Sequence, residues 1–232
     1  MYFVRMTFML IALTFAAELT SAETTHYKIE EMSSWKWCTA CAGAGGNAIM
    51  DKQMSGSPTL DGRSARFFVG GSTPWSHALY HRRMSGNDSA KNFFLEFNYY
   101  MKNPAASSGM EFSVNQVVGK YWYRWDTQCS YESKIWKVWD GKNMKWINLS
   151  APCPRPSGYS WNNVKFECKR VDGKTQFVSI TLNGKKYYVN KYVGPTWLGY
   201  YDANIGIHFQ LNGNRYMTDY YVWGDKFKLT YW

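Results

Sequence analysis

The sequence predicts an all-β fold, a sandwich or jelly roll of antiparallel sheets, and three observations support this prediction. Aromatic residues, which favour strands, make up 19% of the 232 residues, and helix-forming runs of Ala, Leu and Glu are scarce after the first two dozen residues. Short segments of alternating apolar and polar residues recur, with turn residues between them at roughly 8–12-residue spacing. The dipeptides Asp172-Gly173 and Asn183-Gly184 are strong signals for tight hairpin turns.

The N-terminal residues 1–22 have the pattern of a signal peptide. Arg5 precedes an apolar run over residues 6–17, and small residues follow where a signal peptidase would cut. The run is well short of the roughly 20 residues that a membrane-spanning helix needs, although an uncleaved anchor is the alternative. We therefore expect a secreted or periplasmic protein, with residues 23–232 forming a single β-sandwich domain and no membrane span after cleavage.

The alternation of apolar and polar residues predicts the strands in chain order. After an N-terminal segment that ends near Asp51, a turn is expected at residues 58–62 and a strand at residues 64–70. Residues 75–83 favour no one type of element. Further strands are predicted over residues 92–101, 109–118, 120–128, 135–139, 144–149, 161–170, 175–182, 185–193, 203–211 and 216–232.

Two neighbouring predicted strands, residues 92–101 and 109–118, each have one apolar face and one face of hydrogen-bonding groups. Successive side chains of a strand point to opposite sides, so the polar ones lie on sheet faces away from the core. Carboxylates, amides and aromatic rings together suit sugar binding, because hydroxyls need fixed polar partners and the C–H face of a pyranose needs a flat apolar one. The candidate binding residues on these strands are Glu96, Asn98, Tyr100, Glu111, Ser113 and Asn115.

Other strands add candidates to the same groove. His208 and Gln210 alternate with apolar residues, and Arg124, Asp126 and Gln128 alternate in the same way along residues 120–128. For His208, a purely structural, hydrogen-bonded role is the alternative.

Two of the predicted strands contain the same short motif, Trp-x-x-Trp-Asp. The two copies of this tryptophan echo are Trp122-Tyr-Arg-Trp125-Asp and Trp136-Lys-Val-Trp139-Asp. Positions three apart in a strand face opposite ways, so each copy directs one Trp to the core and one outward. The outward Trp of each pair is a candidate sugar platform, and packing within the protein is the alternative role.

Five cysteines are present, and disulfides are expected in an exported chain. We pair Cys129 with Cys153 across a predicted long hairpin and Cys38 with Cys41 locally, which leaves Cys168 as a buried free thiol. A redox or zinc role for Cys38 and Cys41 is disfavoured, because glycines follow at once and the βαβ setting of a thioredoxin-like site is lacking.

The charge of the chain predicts no specific partner. Lys and Arg number 27 against 17 Asp and Glu, but no basic cluster stands out, so no nucleic-acid binding is expected. His77 and His81 have the i, i+4 spacing of a helical metal site without a third ligand, so no metal site is predicted. No cofactor is expected, with a structural calcium ion as the open alternative, and the sequence assigns no oligomeric state.

Several motifs together carry a resemblance to a known group. They are Cys-x-x-Cys-Ala-Gly (38–43), Ser-Pro-x-Leu-x-Gly (57–62), Gly-Ser-x-Pro-Trp-Ser-x-Ala-Leu (71–79), Asn-Pro-Ala-Ala (103–106), Met-Glu-Phe-Ser-Val-Asn-Gln (110–116), Thr-Gln-Cys (127–129) and Trp-Lys-Val-Trp-Asp (136–140). This pattern resembles a group of uncharacterised exported bacterial proteins whose fold is similar to that of the concanavalin A-like lectin/glucanase superfamily. The resemblance implies a concanavalin A-like jelly-roll sandwich of two curved antiparallel sheets. It also implies sugar binding across the concave sheet or at its rim, but the same sandwich carries lectins, hydrolases and lyases.

Comparison with the laminarinase-like glucanases of that superfamily disfavours catalysis. Their strand carries Glu-x-Asp-x-Glu, whereas the similar triplet here is Glu111-x-Ser113-x-Asn115, which lacks the second carboxylate. Glu96 is the substitute acid. If Tyr100 lies opposite Glu111, Glu96 lies about 13–14 Å from Glu111, beyond the roughly 6.5–9.5 Å of an inverting pair.

We therefore expect a secreted, lectin-like protein that recognises a polysaccharide or cell-surface glycan in a concave-sheet groove. One alternative is a glycoside hydrolase that uses Glu111 and Glu96. A less favoured one is a polysaccharide lyase in which His208 acts as a base together with Tyr100 while Arg124 neutralises a uronate. A structural envelope or adhesion protein is the third.

Overall fold

The computed structural model describes residues 22–38 and 48–232, which form fourteen β-strands and two short 3₁₀ turns. The 3₁₀ turns are Ile29–Glu31 and Pro104–Ala106. The strands are β1 (Thr24–His26), β2 (Lys36–Cys38), β3 (Ala48–Ser55), β4 (Ser64–Gly71), β5 (His77–Ser85), β6 (Asn92–Met101), β7 (Ser107–Ser130), β8 (Ile135–Asp140), β9 (Lys145–Pro152), β10 (Ser160–Val171), β11 (Lys174–Leu182), β12 (Lys185–Val193), β13 (Thr196–Gly213) and β14 (Tyr220–Tyr231).

The strands form two antiparallel sheets. In the eight-stranded sheet the order is β12-β11-β10-β6-β14-β4-β3, and β1 also pairs with β14. In the six-stranded sheet the order is β2-β5-β13-β7-β8-β9. This arrangement confirms the predicted all-β sandwich of two antiparallel sheets.

Most predicted strands are present, and two segments near the N-terminus differ. β6 occupies residues 92–101 as predicted, whereas residues 75–83, left unassigned, fall largely in β5. β3 was not predicted. The predicted hairpin turns are present: Asp172 (φ 49°), Gly173 (φ 70°), Asn183 (φ 48°) and Gly184 (φ 82°) all have the positive φ of tight hairpin turns.

β7 is one continuous segment that folds back on itself. At its midpoint Gly119 has a φ of 60°, in the left-handed region that glycine occupies without steric cost. Thr127 Oγ1 donates a hydrogen bond of 2.9 Å to the carbonyl oxygen of Phe112, and Tyr131 N donates one of 2.9 Å to that of Ser108. The two halves of β7, which we call its first arm (residues 107–118) and second arm (residues 120–130), therefore lie side by side.

Phenylalanine rings between the two sheets form the centre of the core. Phe97 on β6 lies 5.1 Å from Phe112 on β7 and 5.9 Å from Phe209 on β13, measured between ring centroids. Phe67 on β4 approaches Phe209 to 5.0 Å. All four side chains are buried. Such edge-on contacts add to the hydrophobic free energy that holds one sheet against the other.

The tryptophan echo divides between core and surface as predicted. Trp125 and Trp136 are fully buried, whereas Trp122 and Trp139 lie on the outer face of the six-stranded sheet. Period-two alternation within β7 and β8 accounts for this division.

Cysteine placement agrees with the expectation where it is described. Cys129 and Cys153 form a disulfide, and Cys168 is a buried free thiol. Cys38 is disulfide-bonded, but its predicted partner Cys41 lies outside the described residues. Residues 1–21 of the predicted signal peptide also lie outside them. In the part of the chain that the structure describes, no helix has the length and hydrophobicity to cross a membrane.

The hydroxyl of Tyr80 joins the two sheets. Tyr80 on β5 is fully buried, and its hydroxyl donates to the carbonyl oxygens of Asp51 (2.8 Å) and Phe68 (2.5 Å) at alternate positions of its proton. It also accepts a hydrogen bond of 3.0 Å from the backbone N–H of Asp51. These contacts connect β5 of the six-stranded sheet to β3 and β4 of the eight-stranded sheet.

We expect Tyr80→Phe to lower the free energy of unfolding by about 1–3 kcal/mol, because the backbone groups of β3 and β4 lose a buried partner. Urea unfolding followed by tryptophan fluorescence measures the change. Tyr188→Phe, at an exposed tyrosine on β12, is the control and leaves stability unchanged. Equal unfolding free energies for wild type and Tyr80→Phe would contradict the assigned role of the hydroxyl.

Candidate functional site

A groove of about 490 Å³ crosses the outer face of the six-stranded sheet. Five strands contribute to it, since β5, β13, both arms of β7, β8 and the start of β9 lie side by side. We call this the groove, and its lining residues are His77, Leu79, Glu111, Phe112, Ser113, Arg124, Asp126, Gln128, Trp139, Met144, Trp146, His208 and Gln210.

Eight of the predicted binding residues lie together on this face. Strand pairing sets Gln210 beside Glu111 and His208 beside Ser113, and the second arm of β7 adds three more side chains. Asn115 lines an adjoining pocket. The residues brought together are Glu111, Ser113, Asn115, Arg124, Asp126, Gln128, His208 and Gln210.

The other three predicted residues are on the opposite side of the molecule. β6 pairs with β10 and β14 in the eight-stranded sheet, so Tyr100 does not lie opposite Glu111 and the assumed register is wrong. Glu96 forms salt bridges with Lys165 (3.1 Å) and Lys228 (3.6 Å).

Asn98 and Tyr100 follow Glu96 on the same outer face, where Asn98 accepts a hydrogen bond from Asn163. The hypothesised pair of Glu111 and Glu96 therefore cannot act on one substrate. The same placement excludes a lyase site in which His208 and Tyr100 act on one substrate.

Glu111 is held by two side-chain amides at the floor of the groove. Gln128 Nε2 (2.9 Å) and Asn212 Nδ2 (3.0 Å) both donate to its Oε1, and Oε2 accepts no hydrogen bond from the described residues. Burial raises the pKa of Glu111 from 4.5 to about 7, the two amides and Arg124 oppose this shift, and the charge of Asp126 adds to it. Near neutral pH this carboxyl can therefore donate or accept a proton.

Arg124 is clamped between two indole rings. Its guanidinium carbon lies 4.4 Å from the ring of Trp122 and 5.7 Å from that of Trp139, and it forms a 2.5 Å salt bridge with Asp126. Cation–π contacts of this kind fix the guanidinium plane. The positive charge of Arg124 is thus neutralised within the groove by the carboxylate of Asp126.

Histidines along one edge of the groove are neutral at physiological pH. Burial lowers the pKa of His208 from 6.5 to about 4, while Asp126 opposes the shift and Arg124 and His81 add to it. Burial also lowers the pKa values of His77 and His81. A neutral imidazole offers one hydrogen-bond donor and one acceptor, which suits a hydroxyl group.

Sequence reasoning missed the contribution of β5. His77 and His81 were considered only at helical spacing, but they lie on a strand, where alternation with Ala78 and Tyr80 directs both to the outer face. That alternation in the sequence could have predicted β5 and the outward orientation of both histidines. Within residues 22–38 and 48–232, no three His, Cys, Asp or Glu side chains cluster as metal ligands would.

Two further cavities adjoin the groove. An adjoining pocket of about 330 Å³ shares Leu79, Arg124 and His208 with it and reaches Tyr200. A third cavity, of about 700 Å³, shares Met144 and is lined by aromatic residues including Tyr121 and Trp197.

Four polar atoms of groove residues have no hydrogen-bond partner within the described chain. They are His77 Nδ1, Arg124 Nε, Asp126 Oδ1 and Trp139 Nε1. Buried polar atoms are normally paired, so these four atoms leave hydrogen-bonding capacity in the lining of the groove unused.

Comparison with solved structures shows that the sandwich has the concanavalin A-like fold. The chain is similar to the marine PL-14 alginate lyase from Aplysia kurodai (TM-score 0.56, 13% identity, 77% of this chain and 86% of that one). It is also similar to arcelin-5, a lectin-like defense protein from Phaseolus vulgaris (0.54, 10%, 91% and 99%), and to peanut lectin (0.51, 9%, 91% and 98%). Lectins and polysaccharide lyases share this fold. No family model and no curated protein matches the sequence.

The raised pKa of Glu111 predicts a pH-dependent effect of Glu111→Gln. A carboxyl whose pKa is higher in the folded state contributes stability that is complete below about pH 4.5 and is lost as the pH rises through about 7. Glutamine keeps the amide contacts and does not titrate. We expect the unfolding free energy of wild type to fall relative to Glu111→Gln by roughly 1–3 kcal/mol between pH 4.5 and 8.

Urea unfolding of both proteins across this pH range gives the difference directly. Glu132→Gln, at an exposed carboxylate, is the matched control and shows no such trend. A wild-type minus Glu111→Gln difference that does not vary with pH would show that Glu111 titrates normally.

Proposed function

We propose that this protein is a secreted, lectin-like protein that binds a polysaccharide in the groove. One observation carries the proposal: polar side chains from β13 and from both arms of β7 face a single groove, and Trp139 and Trp146 form its other side. This combination is what a pyranose requires, since its hydroxyls bind polar groups and its C–H face packs on an aromatic ring.

The amides of the groove belong to two pre-oriented chains of hydrogen bonds. Gln210 Nε2 donates to Asn212 Oδ1 (2.8 Å), and Asn212 in turn donates to Glu111. Trp122 Nε1 donates to Asn115 Oδ1 (3.0 Å), and Asn115 donates to Ser113 (3.1 Å). Side chains fixed in this way bind hydroxyls without a further loss of rotamer entropy.

The charge balance of the groove supports a neutral sugar at its centre. Arg124 is paired with Asp126, and the histidines are neutral, so no free positive charge remains beside Glu111 to hold a uronate carboxylate. The two cavities that adjoin the groove support a polymer rather than a single sugar as the ligand.

Secretion is part of the proposal. The Cys129–Cys153 disulfide is typical of proteins in oxidising compartments outside the cytosol. Cleavage of residues 1–22 as a signal peptide is the route that we propose.

Hydrolysis of the bound chain is the second candidate function, and the placement of Asp126 favours it. Gln128 pairs with Glu111, so Asp126, two residues earlier on the second arm, is a diagonal neighbour of Glu111 at roughly 7–8 Å. This spacing of strand positions is compatible with the roughly 6.5–9.5 Å that separates the two carboxyl groups of inverting glycosidases. Glu111, with a pKa of about 7, would protonate the leaving oxygen while Asp126 activates water.

Gel retardation in native gels cast with laminarin, xylan, alginate or polygalacturonate tests the binding proposal. We expect retardation by a neutral polysaccharide, and Trp139→Ala is expected to weaken it by on the order of tenfold because a stacking platform is lost. Trp37→Ala, at an exposed Trp on β2 outside the groove, is the control and binds as wild type does.

Reducing-sugar release and ultraviolet detection of unsaturated ends, measured with the same polysaccharides, separate binding from cleavage. A lectin releases neither product. Release that is abolished in Glu111→Gln and in Asp126→Asn, with binding retained, would establish hydrolysis instead. Neither retardation nor turnover with any polysaccharide would contradict both functions and favour a structural role.

A further inference from the structure

A row of aromatic side chains crosses the outer face of the eight-stranded sheet, on the side opposite the groove. Strand pairing sets Trp161 beside Tyr100 and Tyr100 beside Trp223, while Tyr221 pairs with Phe68. These five residues, on β10, β6, β14 and β4, are here called the aromatic row.

The rings of the aromatic row form an unbroken chain. Ring centroids are separated by 5.5 Å between Trp161 and Tyr100 and by 5.8 Å between Tyr100 and Trp223. The row continues from Trp223 to Tyr221 over 6.0 Å and from Tyr221 to Phe68 over 4.8 Å. The result is one ring wide and spans four neighbouring strands, which is roughly 14 Å at the spacing of strands in a sheet.

This row is not part of the core. Its residues alternate with the inward-facing Tyr99, Met101 and Val222, so they lie on the solvent side of the sheet. Tyr221 is 40% exposed, and Trp223 is covered by its neighbours. Trp223 Nε1 has no hydrogen-bond partner within the described residues.

Two cations lie over the aromatic row without a carboxylate partner. Lys102 Nζ is 5.1 Å from the ring of Trp223, and the guanidinium carbon of Arg66 is 4.8 Å from the ring of Tyr221. Arg66 donates a hydrogen bond to the uncharged Gln53. In the described residues neither cation forms a salt bridge, in contrast to Lys165 and Lys228, which neutralise Glu96 on the same face.

We propose that the aromatic row is a second polysaccharide-binding surface, separate from the groove, and that it binds an acidic polysaccharide. The narrow, continuous line of rings fits an extended chain of flat sugar rings, and the two unpaired cations supply charges for carboxylate or sulfate groups. Asn98 and Asn163, joined by a 3.1 Å hydrogen bond beside Tyr100, add amide groups for hydroxyls.

The shape and chemistry of the row favour a glycan over a lipid surface or a protein partner. Its members carry no exposed aliphatic side chain, and four of the five have a hydroxyl or indole N–H. A membrane-binding face would instead present a broad apolar area. With the groove on the opposite face, one molecule would hold two polysaccharide chains and link them.

Affinity electrophoresis in polygalacturonate gels tests this inference. Wild type is expected to be retarded at low salt and to lose retardation at high salt, because exposed charge pairs are screened. Tyr221→Ser is expected to weaken binding by on the order of tenfold, the effect of losing one exposed aromatic contact. The double variant Arg66→Gln/Lys102→Gln is expected to remove most of the salt-dependent part of the retardation.

Matched controls separate the row from general effects of surface chemistry. Tyr188→Ser removes a more exposed tyrosine from β12 of the same sheet, and Lys174→Gln/Lys185→Gln removes two exposed positive charges from it; both variants are expected to bind as wild type does. Thermal unfolding of each variant verifies that the fold is intact.

Binding by the groove and binding by the aromatic row can be tested independently. Trp139→Ala, in the groove, is expected to leave polygalacturonate binding unchanged. The inference is overturned if folded wild type shows no retardation, if Tyr221→Ser and the Arg66/Lys102 variant bind as tightly as wild type, or if Trp139→Ala alone abolishes the retardation.

Discussion

Close packing of phenylalanine rings between the sheets is the constraint on which the structure depends. Phe97 lies against Phe112 and Phe209, so β6 must face β7 and β13 across the core. Successive side chains of a strand point to opposite faces of the sheet. Because Phe112 points into the core, Glu111 and Ser113 on either side of it must point outward. The groove is the outer side of the same strands that build the core.

Desolvation gives the groove its chemical character. Glu111 and His208 both depart from their ordinary pKa values in the direction that disfavours charge, and burial is the largest cause for each. The one strongly charged pair, Arg124 and Asp126, is internally balanced and held between indole rings. The sheet thus presents oriented hydrogen-bonding groups with little net charge, the chemistry that sugar hydroxyls match.

The sequence was sufficient to predict which side chains face outward but not which sheet carries them. The alternation that defines β6 is local, and it correctly placed Glu96 and Asn98 on a solvent face. Their assignment to the groove required β6 and β7 to be adjacent, and strand adjacency depends on contacts far apart in sequence. β5 was missed for a different reason, because the irregular residues 72–76 before it obscure a short alternating pattern.

The fold-back of β7 has a consequence for how the groove assembles. Glu111 and its partner Gln128 are 17 residues apart, whereas Glu111 and Asn212 are separated by 101. Loop-closure entropy makes the second contact costlier to form by roughly 1.5 kcal/mol, and such distant pairings form late in folding. The hairpin of β7 is therefore expected to form before β13 pairs with it, so that one edge of the groove has its register before the other edge is added.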